Sequence, residues 1–467
     1  MIYLNTAATT LQKPPCVAQA VAEALTGLAS VGRGGHPADL AAARAVFGAR
    51  QSVAELLGCP WPERVVFTAN ATQALNTALF GLFAPGDHVL ATDWDHNSVL
   101  RPLYALARQG TVALDFVPAD PLGRLRIEDF ASRLRPNTRA IVCTHASNLT
   151  GNLLDLAPVA ALAGAAGALL VVDAAQTAGA LPVAMAAQGI DVLCFTGHKG
   201  LMGPQGTGGL CVAPGVAIRP LVMGGTGVRS YEETQPAEYP ARLEAGTLNG
   251  HGLAGLRAAA DFLRGIGTQT VHAHELALVR RFAAGVRAIP GAVLYGDFSG
   301  DRAPVAALNL PGLSSAEAAD ELAVRFDIAT RAGAHCAPRM HRRLAQRPRA
   351  RCGFPSAGTT PPPRWTPRST RWMFWQRRRA DEAQNRKAGR HVCHRHGGAA
   401  GGIPLHGGGG GGAADPGAGR HRGGLRPCLG HAARRRARLR RRHRRKADPG
   451  GTPHAAAVSP APFPLLP

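Results

Sequence analysis

Short apolar runs alternate with helical patterns along the first 341 residues of the chain. The apolar runs predict β-strands at residues 63–68, 87–92, 112–118, 140–144, 169–173, 192–196 and 209–212. Apolar positions at helical spacing predict helices at residues 72–83 and near 98–109. Strands and helices that alternate at this spacing are typical of an α/β fold with a mostly parallel, doubly wound sheet.

The pattern changes near Pro240. Helices are predicted near residues 253–266 and 271–289, and strands at residues 292–295 and 305–309. These elements indicate a second, smaller α+β domain. The predicted organisation is an N-terminal segment that packs on the small domain, a large domain, a truncated small domain and a tail: residues 1–15, 16–240, 241–341 and 342–467.

Charge is distributed unevenly along the chain. There are 53 Lys and Arg against 30 Asp and Glu, a formal net charge of +23. Residues 1–341 hold 25 basic and 26 acidic side chains, whereas residues 342–467 hold 28 basic and 4 acidic ones. The second part is rich in Arg, Gly and Pro and lacks the apolar content that offsets chain entropy. We expect a disordered tail, whose charge would bind nucleic acid only nonspecifically and in a salt-sensitive way.

The tail also has the character of a shifted reading frame. Recoding residues 344–372 with freely chosen codons and reading another frame gives LGTAPEGPVRFSFSWYNTPAEVDAALDAL. This string contains a strand-like stretch, a turn and the start of an amphipathic helix. A frameshift near residue 341 is our interpretation, and a natural Arg/Gly-rich tail is the alternative.

Cysteine usage and hydropathy favour a cytoplasmic protein. The nine cysteines are scattered, with no CxxC pair and no cluster of the metal-binding type, so we expect reduced thiols and no metal. The N-terminus lacks the basic flank and apolar core of a signal peptide. No run reaches the roughly 18–20 apolar residues of a membrane span.

Lys199 is the most informative residue of the chain. Residues 1–341 contain two lysines, and Lys199 follows an apolar strand in the segment Gly-His-Lys-Gly. An amine can form a Schiff base with an aldehyde, and a guanidinium cannot. Asp173 ends another very apolar strand, where a buried carboxylate needs a cationic partner. Together they predict pyridoxal phosphate (PLP), with the amine on its aldehyde and the carboxylate on its ring nitrogen.

Polar residues also follow other predicted strands, at the sheet edge where ligands of parallel sheets bind. Asn70, Ala71 and Thr72 open a helix in a way that suits a phosphate, although an ordinary N-cap is the plainer interpretation of them alone. His96 could stack on an aromatic cofactor ring, but a lone histidine is more often a satisfied loop residue.

Two amide side chains lie where they could donate to the cofactor's phenolic oxygen. Asn148 follows the strand at residues 140–144, and Gln176 comes one helical step after Asp173. Thr196 and His198 supply a hydroxyl and an imidazole beside Lys199.

Cys336 lies in a loop of small residues beside Arg331 and His335. Nearby positive charge favours the thiolate, which is the nucleophilic form of cysteine. A structural cysteine would more often lie within an apolar run. The pattern therefore predicts a nucleophilic thiol if the PLP assignment holds.

Taken together, these residues resemble the class V, fold-type-I PLP-dependent aminotransferase family, and within it the cysteine desulfurase branch that includes selenocysteine lyases. The resemblance spans residues 1 to about 341. It rests on an opening strand, a Gly-Gly-His segment, the phosphate turn, the strand ends and two loops: residues 3–10, 34–36, 70–72, 96, 147–148, 173–176, 196–199, 244–249 and 331–336.

The resemblance implies a homodimer that converts L-cysteine to L-alanine and leaves a persulfide on Cys336. Lys199 would hold the cofactor and then remove the α-proton as general base. His96 would stack on the ring, and Arg331 and His36 would contact the substrate.

The phosphate would be held by Thr72, Thr196 and His198, with Thr247 of the partner subunit. Other class V reactions stay open, namely a selenocysteine lyase with selenocysteine as substrate, another β-eliminating lyase or an epimerase. A catalytically inactive product of the frameshift is a further alternative. A sulfur-acceptor protein is compatible with the branch, and neither specific nucleic acid nor membrane is expected as a partner.

One departure from the family pattern carries a prediction. The family ends in an Arg-x-Ser…Tyr-Asn-Thr segment whose arginine binds the substrate carboxylate, and the recoded string contains it as RFSFSWYNT. The written chain has Arg351 in surroundings that cannot form this strand, so the charge-assisted contact is lost. We expect the purified 467-residue protein to release sulfide from cysteine far more slowly than a frame-corrected protein. Equal rates, measured side by side after PLP loading, would contradict the frameshift interpretation.

Overall fold

A computed structural model describes residues 1–31 and 34–345 of the chain. In chain order its strands are β1 (Ile2–Tyr3), β2 (Val65–Thr68), β3 (Asp87–Thr92), β4 (Val112–Val117), β5 (Thr138–Thr144), β6 (Leu169–Asp173), β7 (Val192–Thr196), β8 (Gly208–Val212), β9 (Val293–Tyr295), β10 (Ala307–Asn309) and β11 (Ile328–Ala329). The helices are α1 (Pro15–Gly27), α2 (Pro37–Leu56), α3 (Ala71–Leu82), α4 (Asn97–Arg108), α5 (Ile127–Ala131), α6 (Leu156–Ala165), α7 (Gly250–Ile266), α8 (Thr268–Arg287), α9 (Ser315–Phe326) and α10 (Pro338–Ala345).

A seven-stranded sheet in the order β2-β8-β7-β6-β5-β3-β4 forms the centre of the molecule. Within it, β8 runs antiparallel to β2 and β7, and the other neighbouring pairs are parallel. The predicted α/β fold with a mostly parallel sheet is confirmed. Because the parallel strands end at one edge, the loops that follow β3, β5, β6 and β7 meet there.

The sheet is buried on both faces. Successive strand residues point to opposite sides, so Leu170 and Val172 join one core cluster while Val171 joins the other. The first cluster includes residues of α2 and α7, and the second includes residues of α3 and α4. This double burial explains why the strands are near-continuous apolar runs rather than alternating patterns.

The bounds of the strands predicted from the apolar runs agree with the structure to within two residues at each end, and β3, β6 and β7 agree at both ends. The opening strand expected within residues 3–10 is shorter, at Ile2–Tyr3. Helices α1, α2, α5, α6, α9 and α10 were not among the predicted elements. The strand predicted at residues 305–309 is shorter and begins at Ala307. Val305 instead turns back, since its N–H donates to Ala303 O and its carbonyl accepts from Arg302.

The remaining strands form two small sheets. β1 pairs in parallel with β11, which ties the N-terminus to the segment before the Cys336 loop. β9 and β10 form an antiparallel pair. Arg302 is fully buried, and its guanidinium donates to the carbonyls of Asp297, Thr150 and Val305 at 2.5–2.7 Å. Arg302 thus joins the segment between β9 and β10 to the loop after β5.

The predicted domain boundaries stay predictions. Helix α7, on the small-domain side of the boundary at residue 240, packs against α1 and α2. Helix α10 continues four residues past the boundary at residue 341. The rest of the predicted tail, including Arg351, lies outside the described residues. Among the residues described, no helix is both long and apolar enough to cross a membrane.

A buried ion pair between Arg50 and Glu244 joins helix α2, strand β2 and the loop before α7. The Arg50 guanidinium in α2 binds both carboxylate oxygens of Glu244 at 2.7 and 2.5 Å, and both side chains are under a tenth exposed. Glu244 also accepts the Phe67 N–H of β2 at 2.6 Å. Bidentate pairing and the extra hydrogen bonds offset the desolvation of the two charges.

We expect Arg50→Ala to lower the free energy of unfolding by about 3–5 kcal/mol, because Glu244 is left buried without its counter-charge. Urea denaturation followed by circular dichroism measures the change. The matched control is Arg325→Ala, which breaks the exposed pair with Glu321 and should cost less than about 1 kcal/mol. Equal losses in both variants would show that Glu244 does not depend on Arg50.

Candidate active site

Asp173 and Lys199 lie at the same edge of the sheet. Strands β6 and β7 are parallel neighbours, with Asp173 paired to Cys194. Asp173 ends β6, is 4% exposed, and one carboxylate oxygen accepts the Ala175 N–H at 2.9 Å. Lys199 follows β7 by three residues. The two residues on which the PLP hypothesis rests are therefore close in space.

The environment of Lys199 combines burial with charge. Burial lowers the pKa of its amine, the charge of Asp173 opposes that shift, Arg331 adds to it, and Cys336 opposes it. A lowered pKa increases the fraction of uncharged amine, the form that attacks carbonyl carbons and accepts protons. The same electrostatic neighbourhood thus holds an amine, an acid, a guanidinium and a thiol.

A cleft of about 1810 Å³ opens above this edge of the sheet. His96, Asn148, Gln176, Lys199 and Arg331 line it, together with the N-terminal segment and apolar side chains of α8 and α9. Five of the predicted site residues therefore face one space, which is large enough for a cofactor and a small substrate.

The N-terminal segment fixes the backbone around Lys199. Thr10 donates its N–H to His198 O at 2.9 Å and its hydroxyl to Lys199 O at 2.7 Å. The Thr9 hydroxyl lies 3.1 Å from His198 Nδ1. These contacts were not predicted from the sequence, because they join residues that are far apart in the chain, 189 positions for Thr10 and Lys199.

Residues 70–72, which were predicted to hold the phosphate, form the N-cap and first residues of α3, and α3 is linked to His96 by hydrogen bonds. Asn70 caps α3, accepting the Gln73 N–H at 3.0 Å. The Thr72 hydroxyl lies 2.8 Å from Ser98 Oγ, which in turn lies 2.8 Å from His96 Nδ1. Ala71 is the first residue of α3. Ser98 received no role from the sequence, although it links two predicted site residues.

Two buried polar atoms near Lys199 have no hydrogen-bond partner in the described part of the protein. They are Thr196 Oγ1, at the end of β7, and Asn148 Oδ1. An unpaired buried polar atom costs about 1–3 kcal/mol, so such atoms indicate a place where a ligand completes the hydrogen bonding. Both residues are among those predicted to contact PLP, and the residues present fit that cofactor.

The Cys336 loop docks directly onto this site. Asn97 N–H donates to Cys336 O at 2.9 Å, and Asn148 Nδ2 donates to His335 O at 2.6 Å. Asn97 follows His96, so the thiol-bearing residue is bonded next to the predicted stacking imidazole. Half-buried Cys336 influences the pKa of Lys199, as described above.

The histidines of the site have lowered pKa values. Burial is the main cause for His96, His198 and His335. Asp173 opposes the shift at His96, while Lys199 adds to it at His96 and His198. These imidazoles are therefore neutral at neutral pH, when one ring nitrogen can accept a hydrogen bond and the ring can stack.

Not every predicted residue reaches the cleft. His36 is exposed and caps α2 through the Ala38 N–H at 3.3 Å. Thr247 is exposed in this single chain and does not line the cleft. Gln176 lines the cleft, but its amide donates to Ala7 O at 3.2 Å. Within residues 1–31 and 34–345, no group of side chains is arranged to hold a metal ion.

Asp95 is a buried carboxylate that the sequence did not single out. It accepts hydrogen bonds from Thr92 N–H and Thr92 Oγ1 and from Thr144 Oγ1 at 2.7–3.0 Å. Burial raises its pKa to about 7, with a smaller contribution from Asp173. Asp95, which precedes His96 in the chain, thus joins β3 to β5. A polar residue inside a loop of mixed composition offers no sequence signal for this role.

Comparison with known proteins matches this arrangement. The Aminotransferase class-V family matches residues 2–360. A probable cysteine desulfurase of Methanothermobacter thermautotrophicus is 34% identical over 72% of this chain and 84% of its own length. A cysteine desulfurase of Yersinia pseudotuberculosis is 32% identical over 72% of this chain and 84% of its own length.

Solved structures give the same result. The apo cysteine desulfurase of Thermococcus onnurineus superimposes with a TM-score of 0.70 at 32% identity, over 74% of this chain and 87% of that one. The cysteine desulfurase CsdA of Escherichia coli superimposes with a TM-score of 0.66 at 27% identity, over 74% and 87%. With its family match, its relatives and its fold in agreement, the chain belongs to the class-V aminotransferase family, among relatives named cysteine desulfurase.

Proposed function

We propose that this protein is a PLP-dependent cysteine desulfurase that converts L-cysteine to L-alanine and carries the sulfur on Cys336. The observation that carries the proposal is that hydrogen bonds from Asn97 and Asn148 dock the Cys336 loop at the edge of the sheet where Lys199 and Asp173 lie. Asp173 and Cys336 both act on the charge of Lys199. A buried amine, a buried acid and a thiol are the three groups this reaction needs.

PLP is the cofactor of this family. In this chain Asp173 would hold its ring nitrogen, Lys199 its aldehyde, and His96 would stack on the ring. Asn148 and Gln176 would reach the phenolic oxygen, and the unpartnered Asn148 Oδ1 supports a ligand there. When bound, PLP supplies an electron sink for negative charge that develops on the substrate's α-carbon.

The phosphate would lie between the start of α3 and the end of β7. The N-terminus of α3 offers backbone N–H groups and a positive dipole end at Asn70, Ala71 and Thr72. The unpartnered Thr196 hydroxyl and the imidazole of His198 would complete this set. Thr247 of the partner subunit would add a further hydroxyl in a homodimer.

Lys199 acts as the base and Cys336 as the nucleophile. The uncharged Lys199 Nζ accepts the α-proton of the substrate, because burial keeps its pKa low. The Cys336 thiolate then attacks the substrate sulfur. The new S–S bond forms as the C–S bond breaks, and that bond's electron pair stays with the substrate β-carbon, which takes up a proton. Lys199 then returns a proton to the α-carbon. The products are L-alanine and an enzyme persulfide, and an external thiol removes the persulfide sulfur.

Arg331 would contact the substrate. It lines the cleft, and its charge acts on Lys199, His96 and His335. His36 is exposed in a single chain. Its proposed substrate contact would therefore require that His36 reach the cleft of the other subunit in a homodimer.

We expect Cys336→Ala to reduce sulfide release from L-cysteine by at least roughly a hundredfold, because the nucleophile that accepts the sulfur is gone. The same variant should still release selenide from selenocysteine, since selenide leaves more readily than sulfide. Lys199→Ala is the matched control and should abolish both reactions and the visible absorbance of the bound cofactor. Full sulfide release by Cys336→Ala would reject the persulfide mechanism and favour another class V reaction.

A further inference from the structure

Cys336 is held in a conformation that its own backbone disfavours. His335 and Cys336 have φ angles of 50° and 55°, in the left-handed region that non-glycine residues rarely adopt. Each such residue costs roughly 1–2 kcal/mol, and two in succession persist only where surrounding contacts over-determine them. The position of the thiol therefore depends on what anchors the two sides of the loop.

Two backbone carbonyls, those of His335 and Cys336, anchor the loop. His335 O accepts from the Asn148 amide, and Cys336 O accepts from the Asn97 N–H. These two bonds fix the loop to the ends of β5 and β3. After Cys336, Ala337 is buried in the core, and the direction of the chain then depends on how α10 is held.

Helix α10 is held by apolar packing of Met340 and Leu344 in the core and, on its polar face, by one buried carboxylate. Asp93, directly after β3, is 1% exposed and accepts Arg339 Nε at 2.7 Å and Arg343 Nε at 2.5 Å. Arg339 and Arg343 are four residues apart and so share one face of the helix. Asp93 also accepts the Ala119 N–H at 3.2 Å. The carboxylate thus clamps a helix that begins two residues after Cys336.

Arg339 makes two further contacts that restrict the orientation of its guanidinium. Its guanidinium lies 3.5 Å from the ring centroid of Phe116 and donates to Tyr104 Oη at 3.3 Å. A guanidinium that is stacked on a ring and paired with a carboxylate has little freedom to rotate. The Arg339–Asp93 pair therefore sets the distance between α10 and the strand end that leads to His96.

We propose that Asp93 is a positioning residue for the Cys336 thiol. Through Arg339 and Arg343 it holds α10 in register with the β3–α4 loop, which also carries His96 and Asn97. One short loop thereby positions both the ring-stacking imidazole and the sulfur nucleophile. This inference deepens the proposed desulfurase function and rests on it.

Asp93→Asn is the informative variant because the charges it leaves behind are not trapped. The side chains of Arg339 and Arg343 are 21% and 37% exposed, so water can solvate them after the carboxylate is neutralised. Removing the arginines instead would leave Asp93 buried and unpaired, which costs stability for reasons unrelated to Cys336. Asp115→Asn is the matched control, because that half-exposed carboxylate pairs with Arg135 and His88 and not with α10.

The test uses the full chain loaded with PLP. We expect Asp93→Asn to lower kcat for sulfide release from cysteine about tenfold, since a misplacement of about 1 Å can cost this much or more. Selenocysteine turnover, which does not need the thiol, should stay within about twofold of the unsubstituted protein. Alkylation of Cys336 by iodoacetamide, followed by mass spectrometry, should become faster as the loop is released. Asp115→Asn should change none of the three.

The outcomes separate the inference from the proposed function. Parallel loss of the cysteine and selenocysteine reactions, or no change in either, would overturn the positioning role. If the 467-residue protein releases no sulfide but the frame-corrected protein does, the proposed function stands; if neither does, the proposed function fails. In both cases the alkylation rate alone decides the positioning role. Faster alkylation in Asp93→Asn would then support the clamp, and an unchanged rate would overturn it.

Discussion

The site depends on the burial of one amine beside one carboxylate. Burial lowers the pKa of Lys199, and the charge of Asp173 limits how far it falls. Both groups are brought together because β6 and β7 are adjacent parallel strands that end at one edge. The sheet must be covered on both faces for this environment to exist, and its two apolar clusters provide that cover. The remaining site residues are arranged around these two groups.

Three segments from distant parts of the chain close over that edge. The N-terminal segment holds the backbone of His198 and Lys199 through Thr9 and Thr10. The β3–α4 loop contributes His96, and the loop before α10 contributes Cys336. The N-terminal segment and the Cys336 loop are held by hydrogen bonds that involve backbone groups, and α10 is also held by ion pairs to the Asp93 side chain. This construction keeps reactive groups on loops while a rigid sheet sets their positions.

Elements that depend on local sequence patterns were largely predicted, whereas contacts between residues far apart in the chain were not. Buried strands such as β3, β6 and β7 were predicted to the residue, because an apolar run bounded by polar residues is a local signal. Helix α6 went unpredicted, since its apolar residues surround the helix and give no amphipathic stripe. His96, Asn148 and Lys199, three of the residues that the strand-end argument brought together, line one cleft. His36 does not, because as a helix cap it points to solvent.

The sequence by itself determined the strands, the parallel fold class and the chemical types gathered at the strand ends, because local hydrophobic pattern and residue chemistry are written along the chain. It also located the change in composition near residue 341, which lies at the limit of the described structure. Only the tertiary structure decided that Asp95 is buried with a raised pKa, that Ser98 links Thr72 to His96, and that Asp93 clamps the helix after Cys336. Those contacts depend on how distant segments pack, and burial sets their electrostatics, so no local pattern encodes them.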